Sequence, residues 1–206
     1  GADILKMAMV EIDKAFEGTM KQHNLIESYD ISHSVIVPSD KKIPIDFEVE
    51  HIFSEWYEEC EYLKKFAYSE DIQERYFVYL CEQGFKEKGE EYTDENIKRI
   101  DIEIKQLWLI SERIGMRLAS YYTLVRGLIH NIMWKVSYVG IARGSVTGFY
   151  TCYLMGITQI NPMKYGLPWW RHIHESRPEL PDIDTDTEAA KRPLIFSMMK
   201  DYYGKP

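Results

Sequence analysis

Three aspartates stand at alternate positions in Pro181-Asp182-Ile183-Asp184-Thr185-Asp186. On an extended chain side chains alternate between faces, so the three share one face at steps of roughly 6–7 Å. Like charges stacked in this way repel, and the arrangement is unfavourable unless a cation lies between them. Hard carboxylate oxygens select Mg²⁺ or a related ion. Two such ions would serve in-line phosphoryl or nucleotidyl transfer. The same residues also read as a solvated acidic loop after Pro181, and on the pattern alone that plainer reading prevails.

Upstream lies Val139-Gly140-Ile141-Ala142-Arg143-Gly144-Ser145-Val146-Thr147-Gly148. It reads as a strand, a turn of small residues and a helix. The first N–H groups of a helix lack internal partners and, with the helix dipole, favour an anion at the turn. Gly144 lets backbone approach closely, Ser145 adds a hydroxyl, and Arg143 adds a forked cation suited to phosphate. An ordinary strand–helix turn with a surface arginine has the same pattern. No Gly-Lys-Ser/Thr follows, which excludes a P-loop ATPase turn.

The elements that must position these residues are mostly helical. The spacing predicts helices over residues 4–27, 50–67 and 70–88, with a Pro-containing linker over 28–50. Thr93 or Asp94 caps a long helix that ends between Ile110 and Gly115. Ile100, Ile104, Leu107 and Trp108 form its buried stripe. A further apolar helix covers 116–134. Strands are expected at 136–141 and 183–185, helices at 145–155 and 193–203, and loop over most of 161–177.

Apolar residues make up 45% of the 206, enough for a sizeable core and against global disorder. No apolar run reaches 18 residues and no signal-peptide pattern opens the chain, so no membrane contact and a cytoplasmic location are expected. Cys60, Cys81 and Cys152 are far apart and form no CxxC, which argues against a zinc site or disulfide framework. The net charge of −8 is unevenly spread. Residues 1–134 hold 16 Lys+Arg against 26 Asp+Glu, and residues 135–206 hold 9 against 7. The last third therefore mixes clustered arginines with a few carboxylates, which suits a polyanion held with metal ions. It carries no strong basic stripe, so a complete DNA groove is not visible.

Taken together, the two motifs resemble the palm of the bacterial DNA polymerase III alpha subunit, a family C, DnaE-like polymerase. Arg143-Gly144-Ser145 is similar to that family's phosphate-binding turn. Residues 153–165, from Tyr153-Leu154-Met155 to Met163-Lys164-Tyr165, are similar to the stretch that follows it. Pro181 to Asp186 is similar to its metal-binding strand. Residues 109–122 and 195–204 resemble the flanking helices. The resemblance implies an α+β fold, with a helix-rich N-terminal part followed by a partial nucleotidyltransferase palm like that of polymerase β. It makes residues 1–70 a connection from a PHP domain and 71–206 the first part of the palm.

By that resemblance Asp184 and Asp186 hold two Mg²⁺ ions. Arg143, Gly144 and Ser145 cradle the triphosphate of a dNTP, and Arg171, Arg177 and Arg192 touch phosphates or brace the aspartates. The implied partners are a dNTP, primer–template DNA and further polymerase segments or replisome proteins. A third catalytic aspartate is expected beyond residue 206. The departures are Ile141-Ala142 for the family's Pro-Gly, Trp169-Trp170-Arg171-His172 for its Phe-Glu-Arg-Phe, and Thr187 for its aromatic. The acidic first two thirds, Trp169-Trp170 and the missing third aspartate motivate a second reading, a polymerase-derived binding module acting on a replication or defence protein as inhibitor, decoy or accessory factor. His172 and His174 read as surface residues, His130 as a satisfied core histidine, and Trp56, Trp108 and Trp134 as packing. Trp169-Trp170 is a candidate contact for nucleic acid or a partner. The acidic run 87–95 reads as a solvated loop.

Overall fold

The computed structural model describes Ile43 and residues 47–203, all within the second of the two compact units of the chain, residues 37–206. The helix expected over 4–27, and most of the linker expected over 28–50, lie outside the described residues.

Helix α1 is Glu61–Ala67, α2 is Ile72–Glu87, and α3 is Asp94–Ile114. Local signals account for the last two. Asp71 caps α2 by accepting from the Gln73 N–H at 2.7 Å, and Thr93 caps α3 by accepting from the Asn96 N–H at 3.2 Å. Gly115 closes α3 in the left-handed conformation, at φ 69°. Ile97, Ile100, Ile104, Leu107 and Ile110 are fully buried at helical spacing on one face of α3. Trp108 sits at the edge of that stripe, with the Lys65 ammonium 3.6 Å from its ring centroid. The helix expected over 50–67 is interrupted. A short 3-10 turn, Ser54–Trp56, precedes α1, and Cys60 departs from helical geometry between them.

Helix α4, Leu118–Leu128, continues through a π-helical stretch, Ile129–Met133, and a last α turn, Trp134–Val136. Helix α5, Tyr150–Leu154, is short, and α6, Arg192–Tyr203, is the last element. Helix α1 packs on both α2 and α3, and α4 and α5 each lie against both α2 and α3. Phe53, Phe66, Phe77, Phe85, Tyr122, Phe149 and Tyr150 fill the space between them, each below 2% exposure. Rings of this size dominate core energetics, at up to about 3 kcal/mol per fully buried side chain. Helices α2 and α5 meet backbone to backbone, since a Cβ at Gly84 would run into the Leu154 carbonyl. Cys60, Cys81 and Cys152 are free and buried.

The α+β expectation is overturned, because the described residues are helical and form no sheet. Pairing is limited to one antiparallel bridge, between Val139 and Thr187. Neither 136–141 nor 183–185 is a strand. The β-branched run at 136–141 begins inside the end of a helix, and its one neighbour pairs at a single point. A ladder requires consecutive partners on an adjacent strand, and here the flanking chain turns away. The expected helix over 145–155 is also corrected. It breaks at Phe149, which is extended (φ −96°, ψ 114°), into a 3-10 turn, Ser145–Gly148, and α5. Among the described residues no helix is long and apolar enough to cross a membrane.

Candidate functional site

The break at Phe149 has a visible cause. Glu103, fully buried on α3, accepts from the Tyr150 N–H at 2.7 Å, the Thr151 N–H at 2.8 Å and the Thr151 hydroxyl at 2.9 Å. A distant carboxylate thus supplies the cap that starts α5. Arg99 pairs with Glu103 at 2.7 Å and donates to the carbonyls of Gly148 (2.6 Å) and Leu167 (2.9 Å). Burial pushes the Glu103 carboxyl above its usual range, and Arg99 and the backbone N–H groups oppose that shift. This pair anchors the turn at residues 144–148 from beneath.

Above it, Gly144 adopts φ 65°, a conformation that few other residues tolerate. A Cβ there would stand 3.1 Å from Asp184 Oδ2, so glycine also lets the turn close against the aspartate segment. The Gly140 N–H donates to the Asp186 carbonyl at 2.9 Å, and the Gln159 N–H donates to the Ile141 carbonyl at 2.6 Å. Asp182, Asp184 and Asp186 are exposed while Ile183, Thr185 and Thr187 are half-buried. The alternation expected of extended chain is therefore present without a ladder. Arg143 reaches across, donating from Nη1 to Asp186 Oδ1, with its Nε 3.9 Å from Asp184 Oδ2. The hydrogen bond to Asp186, then the charges of Asp186 and Asp184, raise the guanidinium pKa. Tyr121 hydrogen-bonds the Ile183 backbone, and burial pushes its phenol up.

An open cleft of about 250 Å³ adjoins this cluster, lined by Gly144, Ser145, Thr147, Leu167 and Arg171 among others. Of the sequence-predicted residues, Asp184, Asp186 and Arg143 meet directly. Gly144, Ser145 and Arg171 share the cleft. Arg177 is exposed beside a smaller hollow that Arg171 also lines, and pairs with Glu179 at 3.5 Å. Arg192 opens α6 on the surface and does not line the cleft. The anion site expected at a helix N-terminus is weakened. Only a four-residue 3-10 turn follows Gly144, too short for a helix dipole of any size.

Two carboxylates and an arginine offer hard oxygen donors with a cation already between them, which is the charge pattern of a metal–phosphate site. Among the described residues no group of three His, Cys, Asp or Glu side chains converges for a metal. Asp184 and Asp186 offer carboxylate oxygens at this point, and no third such side chain joins them among the described residues.

Several readings made from sequence change here. His172 is buried rather than on the surface, 7% exposed, between Tyr122 and Ser145. Its signal was a histidine inside Ile- and Trp-rich sequence, which composition alone could not place. Glu90, in the acidic run, accepts from the Tyr150 hydroxyl at 2.9 Å, the Tyr153 hydroxyl at 3.2 Å and the Asn161 amide at 3.0 Å, so it is structural. Trp134 is 45% exposed rather than packed. Trp169 lies half-buried against His174, and Trp170 is exposed. His130 meets the Gly156 carbonyl at 3.3 Å, and burial lowers its pKa to about 4.

Comparison with known proteins fixes the family. Residues 62–206 match the family described as the bacterial DNA polymerase III alpha NTPase domain. A Bacillus subtilis (strain 168) protein named probable DNA polymerase YorL is 44% identical over 204 residues, covering 94% of this chain and 15% of that protein. A DNA-directed DNA polymerase of Bacillus phage SPbeta has the same identity and coverage. The DNA polymerase III subunit alpha of Halalkalibacterium halodurans is 34% identical over 137 residues, covering 66% of this chain and 12% of that protein. The chain thus spans less than a fifth of the length of these relatives, and over that span it belongs to the bacterial DNA polymerase III alpha family.

Proposed function

We propose that this chain contributes part of a nucleotidyl-transfer site, in which a primer 3′-hydroxyl attacks the α-phosphate of a dNTP and pyrophosphate leaves. The observation that carries the reading is Arg143 bridging Asp184 and Asp186 beside Gly144, which with Ser145 and Arg171 lines the adjoining cleft. Asp184 and Asp186 are the residues that would hold Mg²⁺, which would supply charge neutralisation and polarise phosphoryl oxygens. Until such an ion arrives, the guanidinium of Arg143 offsets the repulsion between the two carboxylates. With a triphosphate present, Arg143 and Arg171 turn to phosphate oxygens, for which a forked donor is well suited. Arg177 and Arg192 add positive potential further out. Primer–template DNA and further polymerase segments complete the site.

The test is Mn²⁺ binding with dATP, followed by the spin signal of the ion. The 206-residue chain should bind the ion more tightly with dATP than without it, and Asp184→Ala should weaken that binding by at least tenfold. Equal binding by wild type and Asp184→Ala would sink the assignment.

A further inference from the structure

Ser145 does not stand alone at the cleft. Its Oγ lies 3.1 Å from His172 Nδ1, and His172 Nε2 lies 2.8 Å from the Tyr122 hydroxyl. Tyr122 is fully buried, and His172 is 7% exposed. Phe149 meets the His172 ring at a centroid distance of 4.9 Å. The three polar groups form a single file from the core to the cleft.

Hydrogen counting fixes the direction of this file. A neutral imidazole has one N–H donor and one bare acceptor nitrogen. If Nε2 carried the hydrogen, it would donate to the Tyr122 oxygen and leave the phenol's own hydrogen without an acceptor. Among the described residues the Tyr122 hydroxyl has no other hydrogen-bond partner, and an orphaned buried donor is costly. The phenol therefore donates to Nε2, which places the imidazole hydrogen on Nδ1. Nδ1–H then donates to Ser145 Oγ, and the serine hydrogen is left pointing to other acceptors. Burial lowers the His172 pKa to about 4, so the ring stays neutral near pH 7. An ionised phosphate offers only acceptors, so a serine held with its hydrogen free is matched to it. The opposite polarity would present serine lone pairs to the phosphate and repel it.

We propose that His172 is a positioning residue for Ser145, its tautomer set by the Tyr122 phenol, so that the serine hydroxyl donates to a phosphate oxygen in the cleft. The phosphate half of this proposal rests on the nucleotidyl-transfer reading above, and the tautomer half does not.

The experiment has two arms on the 206-residue chain. In the first, imidazole ¹⁵N is introduced, and long-range ¹H–¹⁵N correlation reads the tautomer of His172, its signal identified by loss in His172→Phe. A neutral ring protonated on Nδ1 near pH 7 is expected, with a shift toward the other tautomer in Tyr122→Phe. An Nε2–H ring, an imidazolium, or a tautomer indifferent to Tyr122→Phe would overturn the relay. A side chain that merely fills space would not move this signal. In the second arm, tripolyphosphate is titrated. His172→Phe and Tyr122→Phe should each weaken binding by about threefold to tenfold, the size of one hydrogen bond. Neither should weaken it further once Ser145 is alanine. Additive losses in that background overturn the coupling. If Ser145→Ala leaves binding unchanged, the phosphate role is overturned while the tautomer result stands on its own.

Discussion

Two arginine–carboxylate pairs lie one above the other in this molecule, and they differ in almost everything except their chemistry. Arg99–Glu103 is enclosed, with side chains 14% and 0% exposed. Every oxygen of Glu103 and two carbonyls near Arg99 are matched by a donor. Arg143–Asp186 is open, at 58% and 54%. Burial makes the first pair expensive to break, because either partner left alone is an uncompensated charge in a low dielectric. Exposure makes the second cheap to break, because water and salt replace each partner. The lower pair fixes where the turn sits, and the upper pair is open to exchange with solvent and ions.

The comparison is broken most forcefully from below. Glu103→Ala should destabilise the described unit by about 3–5 kcal/mol in urea unfolding, since it strands Arg99 and uncaps α5. A loss under 1 kcal/mol would mean that the turn does not depend on this carboxylate.

His172, buried behind Ser145, should give a pH signature. Its folded pKa, about 4, is below the value of about 6.5 for an unfolded histidine. The unfolded chain therefore binds the extra proton first, and stability falls as pH drops from about 6.5 to about 4. Below that window this group adds no further slope. The full contribution is about 3 kcal/mol. His130 acts with the same sign in the same window, so the difference between wild type and His172→Phe isolates the share that belongs to His172. Parallel stability curves for the two proteins between pH 4 and 7 would refute it.

At the upper level, Arg143→Ala should leave the unfolding midpoint unchanged while abolishing the gain in Mn²⁺ affinity that dATP produces. A lower midpoint would make Arg143 structural and erase the contrast. The smallest effect is expected at Arg177, whose exposed pair with Glu179 should be worth less than about 0.5 kcal/mol in a double-mutant cycle.

What could be read from the sequence was local. The Thr93 cap, the isoleucine stripe of α3 and the Gly115 stop are all decided within a few residues of one another. The tight turn at Gly144 and the alternation of the aspartates were legible because a glycine and a two-residue period are written in residue type and spacing. The break at Phe149 was not legible, because its cause, Glu103, is 46 residues away in sequence. The missing sheet has the same origin. Residues 182–187 keep a two-residue period, yet a strand needs a neighbour, and 136–141 supplies one bridge. His172 was misplaced for want of Tyr122, which only folding brings beside it.

The π-helical stretch Ile129–Met133 leads directly to the segment that carries Arg143. A π turn holds one more residue than the α turn it replaces. Losing a residue there would restore ordinary α geometry while leaving the angular phase of both flanks intact. A loss inside α3 would instead rotate Glu103 by about 100° relative to Arg99 or its other partners. Chain length is therefore negotiable by one residue at residues 129–133 and fixed at α3.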